Sequence, residues 1–128
     1  MNRIARIVAV VIPLIFSSWA AADCVVLLHG LARTSNAMNK LASALAAHNY
    51  KVANVDYPSR QKPIEELAPI AVSAGLRSCG TDTSAQVHFV THSMGGILVR
   101  HYLKFNEIKN LGHVVMIAPH NDRIRDVP

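Results

Sequence analysis

The chain has 128 residues and a formal net charge of +5, enough for one domain at most with a moderate positive balance. Its basic residues, Arg33, Lys40, Lys51, Arg60 and Arg77 among them, are scattered singly without interleaved aromatics, so they read as a solvated surface and indicate no nucleic acid partner. The two cysteines, Cys24 and Cys79, have no metal-ligand spacing.

Residues 1–22 read as a secretory signal. Arg3 and Arg6 supply a positive start, Ile7 to Phe16 an apolar core broken only by Pro13, and Ala20-Ala21-Ala22 small residues for cleavage. A membrane anchor is the alternative, but the uninterrupted apolar run is shorter than the roughly 20 residues a bilayer span needs. The acidic residue directly before the cysteine in Asp23-Cys24 argues against a lipidated amino terminus. Loss of Arg3 and Arg6 with the signal lowers the formal charge from +5 to +3. The expected product is exported, periplasmic or secreted, with residues 23–119 as the domain and the polar, aperiodic residues 120–128 as an irregular tail. In an oxidising compartment the even pair Cys24 and Cys79 suggests a disulfide, worth roughly 3 to 4 kcal/mol by loop closure, from the first strand to a loop before a later one. Two separate buried thiols are the alternative.

Cys24 to Leu28 is a continuous apolar run rich in β-branched residues, which suits a strand buried on both faces. His29-Gly30-Leu31 ends it. Thr34-Ser35-Asn36 can then cap a helix over Ala37 to His48, with Met38, Leu41, Leu45 and Ala46 at helical spacing and Asn49 as its stop. Lys51 to Tyr57 predicts a second strand, left by the turn Pro58-Ser59-Arg60. Pro63 opens a second helix with Ile64, Leu67, Ile70, Ala71 and Ala74 on its buried side, and Gly75 to Ser84 reads as loop. A third strand spans Gln86 to Thr91, and a helix with Tyr102 and Phe105 on its buried face spans about Met94 to Phe105. Gly112 to Pro119 gives a fourth strand. Strands alternating with helices at this spacing predict an α/β fold with a mostly parallel sheet of about four strands and right-handed crossovers. The edge strand around Val114 to Ile117 would be partly unpaired and apolar, which predicts self-association.

Thr91-His92-Ser93-Met94-Gly95 stands between an apolar strand and a helix. That is the layout of a nucleophile elbow, in which a serine on a sharp turn projects its hydroxyl above the sheet. The flanking positions must be small because strand and helix pack closely there, and Thr91 stands where glycine is usual. An ordinary strand-to-helix turn with a capping serine is the alternative. After the first strand, His29-Gly30-Leu31 can turn the backbone so that the N–H of Leu31 points where the N–H of Met94 points, two donors for a developing oxyanion. The ring of His29 is then expected to hold the loop rather than to move protons.

These two stretches, Val25 to Leu31 and Phe89 to Gly96, resemble the α/β-hydrolase superfamily, specifically its lipase and esterase-like members. The resemblance covers about Cys24 to Pro119. It implies a partial α/β-hydrolase fold and a lipase or carboxylesterase acting on a small-molecule or lipid ester, with no cofactor and no metal. Ser93 would be the nucleophile, Leu31 and Met94 the oxyanion donors, and His29, Gly30 and Gly95 motif support.

In that family an acid and then a histidine follow the serine, each past the carboxyl end of a later strand. Here the acids after Ser93 are Glu107, Asp122 and Asp126, and the histidines His101, His113 and His120. Glu107 would lie roughly 18 to 20 Å away along the helix. His113 opens a strand at the wrong edge. Only His120 and Asp122 follow the correct strand end, in reversed order, and His120 is the stand-in base. The economical expectation is a chain shortened at its carboxyl end that keeps the nucleophile and oxyanion half, either as a serine hydrolase or as a catalytically incompetent fragment or binding module. His92 adjoins Ser93 but is expected to pack rather than take its proton. His88 and His92, on a strand and across a turn, have no metal-binding geometry. Asp56, at the end of the second strand, is expected to cap a loop.

Overall fold

The computed structural model describes residues 8–13 and 21–118. The tail from His120, with Asp122 and Asp126, and most of the expected signal lie outside the described residues. Within that segment Val8 to Ile12 are exposed, and no helix of the described residues is long and apolar enough to cross a membrane.

Four strands, β1 (Cys24–Leu28), β2 (Lys51–Val55), β3 (Val87–His92) and β4 (Leu111–Ile117), form one parallel sheet in the order β2-β1-β3-β4. β1 lies inside and is buried at every residue, as its continuous apolar run requires. Helix α1 (Asn39–Ala47) covers one face, over Val25, Leu27, Val52 and Val90. Helices α2 (Ile64–Cys79) and α3 (Met94–Phe105) cover the other, over Val26, Leu28, Ala53 and Phe89. Complete burial of side chains such as Phe89, Leu28 and Leu98 stabilises by about 1.5–3 kcal/mol each.

The expected loop Gly75 to Ser84 is corrected by α2, which continues to Cys79. Glycine is normally a weak helix residue, but a Cβ on Gly75 would come within 2.4 Å of Val26 Cγ1. Gly75 therefore lets the helix lie close against the central strand. Cys24 and Cys79 form a disulfide that ties the start of β1 to the last residue of this helix rather than to a loop. The buried side of α2 is Leu67, Ala68, Ala71, Val72 and Gly75, while Ile70, expected inside, is 40% exposed.

The other differences are local. Thr34, Ser35 and Asn36 provide no side-chain cap for a helix start; Ser35 to Met38 form a 3-10 turn whose first N–H donates to Asp56 Oδ1 at 3.2 Å. Ala46 is exposed, and Ala42 packs in its place. Asn49 does end α1, at φ +66°, with Tyr50 N–H donating to Leu45 C=O at 3.2 Å and Asn49 N–H to Ala46 C=O at 3.1 Å, the closure a left-handed residue permits. Phe105, the last residue of α3, is 67% exposed rather than buried, its ring lying against His101 and Lys104. Tyr102 does pack against the core.

Candidate active site

The strand order determines where a site can form. From β1 the chain passes to β2 on one side, then returns across β1 to place β3 on the other. The loops leaving β1 and β3 therefore diverge at the carboxyl ends of these two adjacent strands, the topological switch point at which parallel α/β sheets take ligands. β1 pairs with β3 up to Leu28 opposite Thr91. Continuing that register brings His29, Gly30 and Leu31 level with His92, Ser93 and Met94.

Ser93 occupies the turn from β3 to α3 at φ +50° and ψ −117°, a conformation that L-residues rarely adopt and that costs about 1–3 kcal/mol. Neighbours impose it. Ser93 N–H donates to Ile117 C=O at the end of β4 at 3.2 Å, and Gly96 N–H donates to Ser93 C=O at 3.1 Å. A Cβ on Gly95 would lie 2.6 Å from Leu28 C=O, so only glycine lets the first turn of α3 descend onto β1. Thr91 is fully buried and stacks its side chain against Gly96, while its Oγ1 has no hydrogen-bond partner among the described residues.

The loop after β1 meets this turn directly. A Cβ on Gly30 would be 3.4 Å from Ser93 Cβ and 2.9 Å from His92 Nδ1, so the His92 ring lies against Gly30. Met94, as the first residue of α3, has an N–H with no carbonyl one turn earlier in the helix. Neither this N–H nor that of Leu31 has an acceptor among the described residues.

His29 is fully buried, and both its ring nitrogens are engaged. Nδ1 donates to Gly30 C=O at 2.8 Å and Nε2 accepts from Tyr57 N–H at 3.3 Å, with Asp56 Oδ1 3.5 Å from Nε2. That pattern assigns the proton to Nδ1. Tyr57 stacks on the imidazole at 4.1 Å between ring centres and donates its hydroxyl to His29 C=O. Burial pushes the phenol pKa well above its ordinary range, so it stays a donor. Ser59, also buried, accepts from Ala32 N–H at 3.0 Å. Tyr57 and Ser59 thus hold the His-Gly loop from behind. Sequence reasoning took them for the end of a strand and an ordinary turn; the available signal was three polar side chains in the stretch Asp56-Tyr57-Pro58-Ser59, which leaves β2 at the same edge.

The remaining candidates lie apart. His113 is at the amino end of β4, its N–H donating to His88 Nδ1 at 2.9 Å. His101 is on α3 against Phe105, and Glu107 is exposed beyond that helix. Among the described residues no histidine hydrogen-bonds Ser93, and no group of three or more His, Cys, Asp or Glu could hold a metal ion. His120, the expected base, lies outside the described residues.

A parallel α/β sheet with a strained strand-to-helix serine turn and a glycine loop facing each other at its switch point defines a hydrolase-like class of domain. The sequence profile of the alpha/beta hydrolase family matches residues 25–128, and the chain belongs to that family. No curated protein matches the sequence significantly. Among similar solved structures is the crystal structure of polyneuridine aldehyde esterase, with a TM-score of 0.53 and 18% sequence identity over 77% of this chain. The match spans 40% of that esterase, and at this identity it shows a shared fold.

Proposed function

We propose that the chain is an exported serine hydrolase of the lipase or carboxylesterase type. Ser93 Oγ attacks the carbonyl carbon of an ester, the N–H groups of Leu31 and Met94 hold the oxyanion, and the bond to the alcohol oxygen breaks. The serine proton passes through a base to the departing alcohol, and water then releases the acid and restores Ser93. His120 is the residue assigned as base, because it follows the carboxyl end of β4, the edge on which Ser93 stands. The observation that carries this reading is the strained turn at Ser93, maintained against its cost beside two N–H groups without an acceptor among the described residues. Export is supported by the Cys24–Cys79 disulfide, which suits an oxidising compartment.

A second reading, a domain with nucleophile and oxyanion donors but no working base, is favoured by the full engagement of His29 and by the lack of a histidine on Ser93 among the described residues. A fluorophosphonate probe with a Ser93→Ala control separates the two. Stoichiometric labelling that needs Ser93, together with turnover of a short ester, supports the hydrolase; a folded sample that takes no label supports the second reading. Self-association through β4 belongs to the same proposal, since β4 is an edge strand with Val115 50% and Ile117 43% exposed, and a monodisperse monomer in light scattering would contradict it.

A further inference from the structure

Next to the His-Gly loop the surface holds a cleft of about 470 Å³, walled by residues 32–34 on one side and 56–61 on the other. Ser93 does not line it, and neither does Leu31 or Met94. It begins at Ala32, one residue past the Leu31 N–H, and its two walls are joined where Ala32 N–H donates to Ser59 Oγ.

The charges in this cleft are uneven. Arg33 and Arg60 both line it, both are exposed, and among the described residues neither guanidinium lies within 4.0 Å of a carboxylate. Asp56, the acid of the cleft, is already engaged by Ser35 N–H at 3.2 Å and lies 3.5 Å from His29 Nε2. Two arginines on a surface are commonly just solvated. Here they stand on opposite loops of one concavity next to the His-Gly loop, and the one acid that lines it, Asp56, accepts from Ser35 N–H. The guanidinium fork matches a carboxylate or phosphate in shape as well as charge.

We infer that this cleft binds an anionic group, carboxylate or phosphate, through Arg33 and Arg60. The substrate class is then an ester that carries such a group a few bonds from the scissile carbonyl. The substrate part rests on the proposed role of Ser93; the anion site does not.

The test uses the purified full chain and its Arg33→Gln/Arg60→Gln variant. Calorimetric titration at low ionic strength is run with inorganic phosphate and, separately, with glutarate. The expected result is that at least one anion binds the unmodified chain, with affinity falling about tenfold in the variant and on addition of salt. The melting temperature should change by no more than about 2 °C, since both side chains are exposed. A response to one anion alone identifies which oxyanion the cleft takes. In the same variant, hydrolysis of a p-nitrophenyl ester of glutarate should fall about tenfold relative to the neutral butyrate ester, with Ser93 labelling by a neutral fluorophosphonate unchanged. Binding of neither anion, or equal binding by both proteins, overturns the inference. Arginine-dependent anion binding in a chain whose Ser93 takes no label overturns only the hydrolase reading.

Discussion

The two ends of the sheet each carry a histidine with both ring nitrogens engaged, and they use it differently. At the amino end, His88 Nε2 bonds Asp23 Oδ2 at 2.8 Å and His88 Nδ1 accepts from His113 N–H at 2.9 Å, while Gln86 N–H donates to Asp23 Oδ1 at 3.0 Å. This cluster, stapled nearby by Cys24–Cys79, is internally satisfied. At the carboxyl end, His29 and Tyr57 are just as fully bonded, but they brace a loop whose own Leu31 N–H has no acceptor among the described residues, opposite a serine at φ +50°. One end invests its polar contacts in closure, the other in holding unfilled donors and a strained residue in place. Parallel strands make that division natural, because all chains enter at one end and the diverging loops leave at the other.

The comparison can be broken most severely at the amino end. Cys24→Ser/Cys79→Ser removes a cross-link across a sequence separation of 55 residues and should destabilise the domain by about 4 kcal/mol, read from denaturant midpoints against the oxidised chain. If the loss is negligible, the staple does not secure that end. Next in size, Tyr57→Phe keeps the stacked ring and strips one hydroxyl bond from His29 C=O, at a cost of about 1–2 kcal/mol. It should also slow fluorophosphonate labelling of Ser93, an effect that an equally destabilising change at the amino end would not have. Equal labelling rates would mean that Tyr57 does not position the loop.

The smallest effect is expected from Asp23→Asn. The His88 hydrogen bond, followed by the Gln86 N–H, holds the Asp23 carboxyl below its ordinary value of 3.8. A depressed folded pKa gives stability that is complete above the unfolded value and disappears as pH falls through the folded one. The groups facing this carboxylate are His88 and, beyond it, His113 and Tyr50. The melting-temperature gap between the native chain and Asp23→Asn should therefore be open near neutrality and close in acid. A gap independent of pH would assign the effect to packing.

Much of the fold was legible because local and global signals agree. β1 is an unbroken apolar run and is buried on both faces; Asn49 halts α1 by adopting the left-handed conformation; α3 begins at the residue after Ser93. Three of the misses share one cause, a partner distant in sequence. Gly75 looks like a helix breaker until Val26 is seen beneath it. Ser35 N–H is satisfied by Asp56, not by a neighbour. Tyr57 reads as a strand residue, whereas its hydroxyl and N–H both serve His29. The core of the candidate site was legible in Ser93, Gly95 and His29-Gly30-Leu31 because elbow geometry is encoded within a few residues. Its bracing was not, since it comes from the loop after β2.

The disulfide also bears on how the chain assembles. β1 must find β3 across the whole of β2 and α2, the non-local kind of pairing that slows folding. Once Cys79 is bonded to Cys24, the search from Cys24 to Val87 shrinks to the short path from Cys79 to Val87. The saving in loop-closure entropy is about 2 kcal/mol, gained on the approach to the sheet as well as in the finished state. The oxidised chain should therefore complete its central strand pair faster than the reduced chain can.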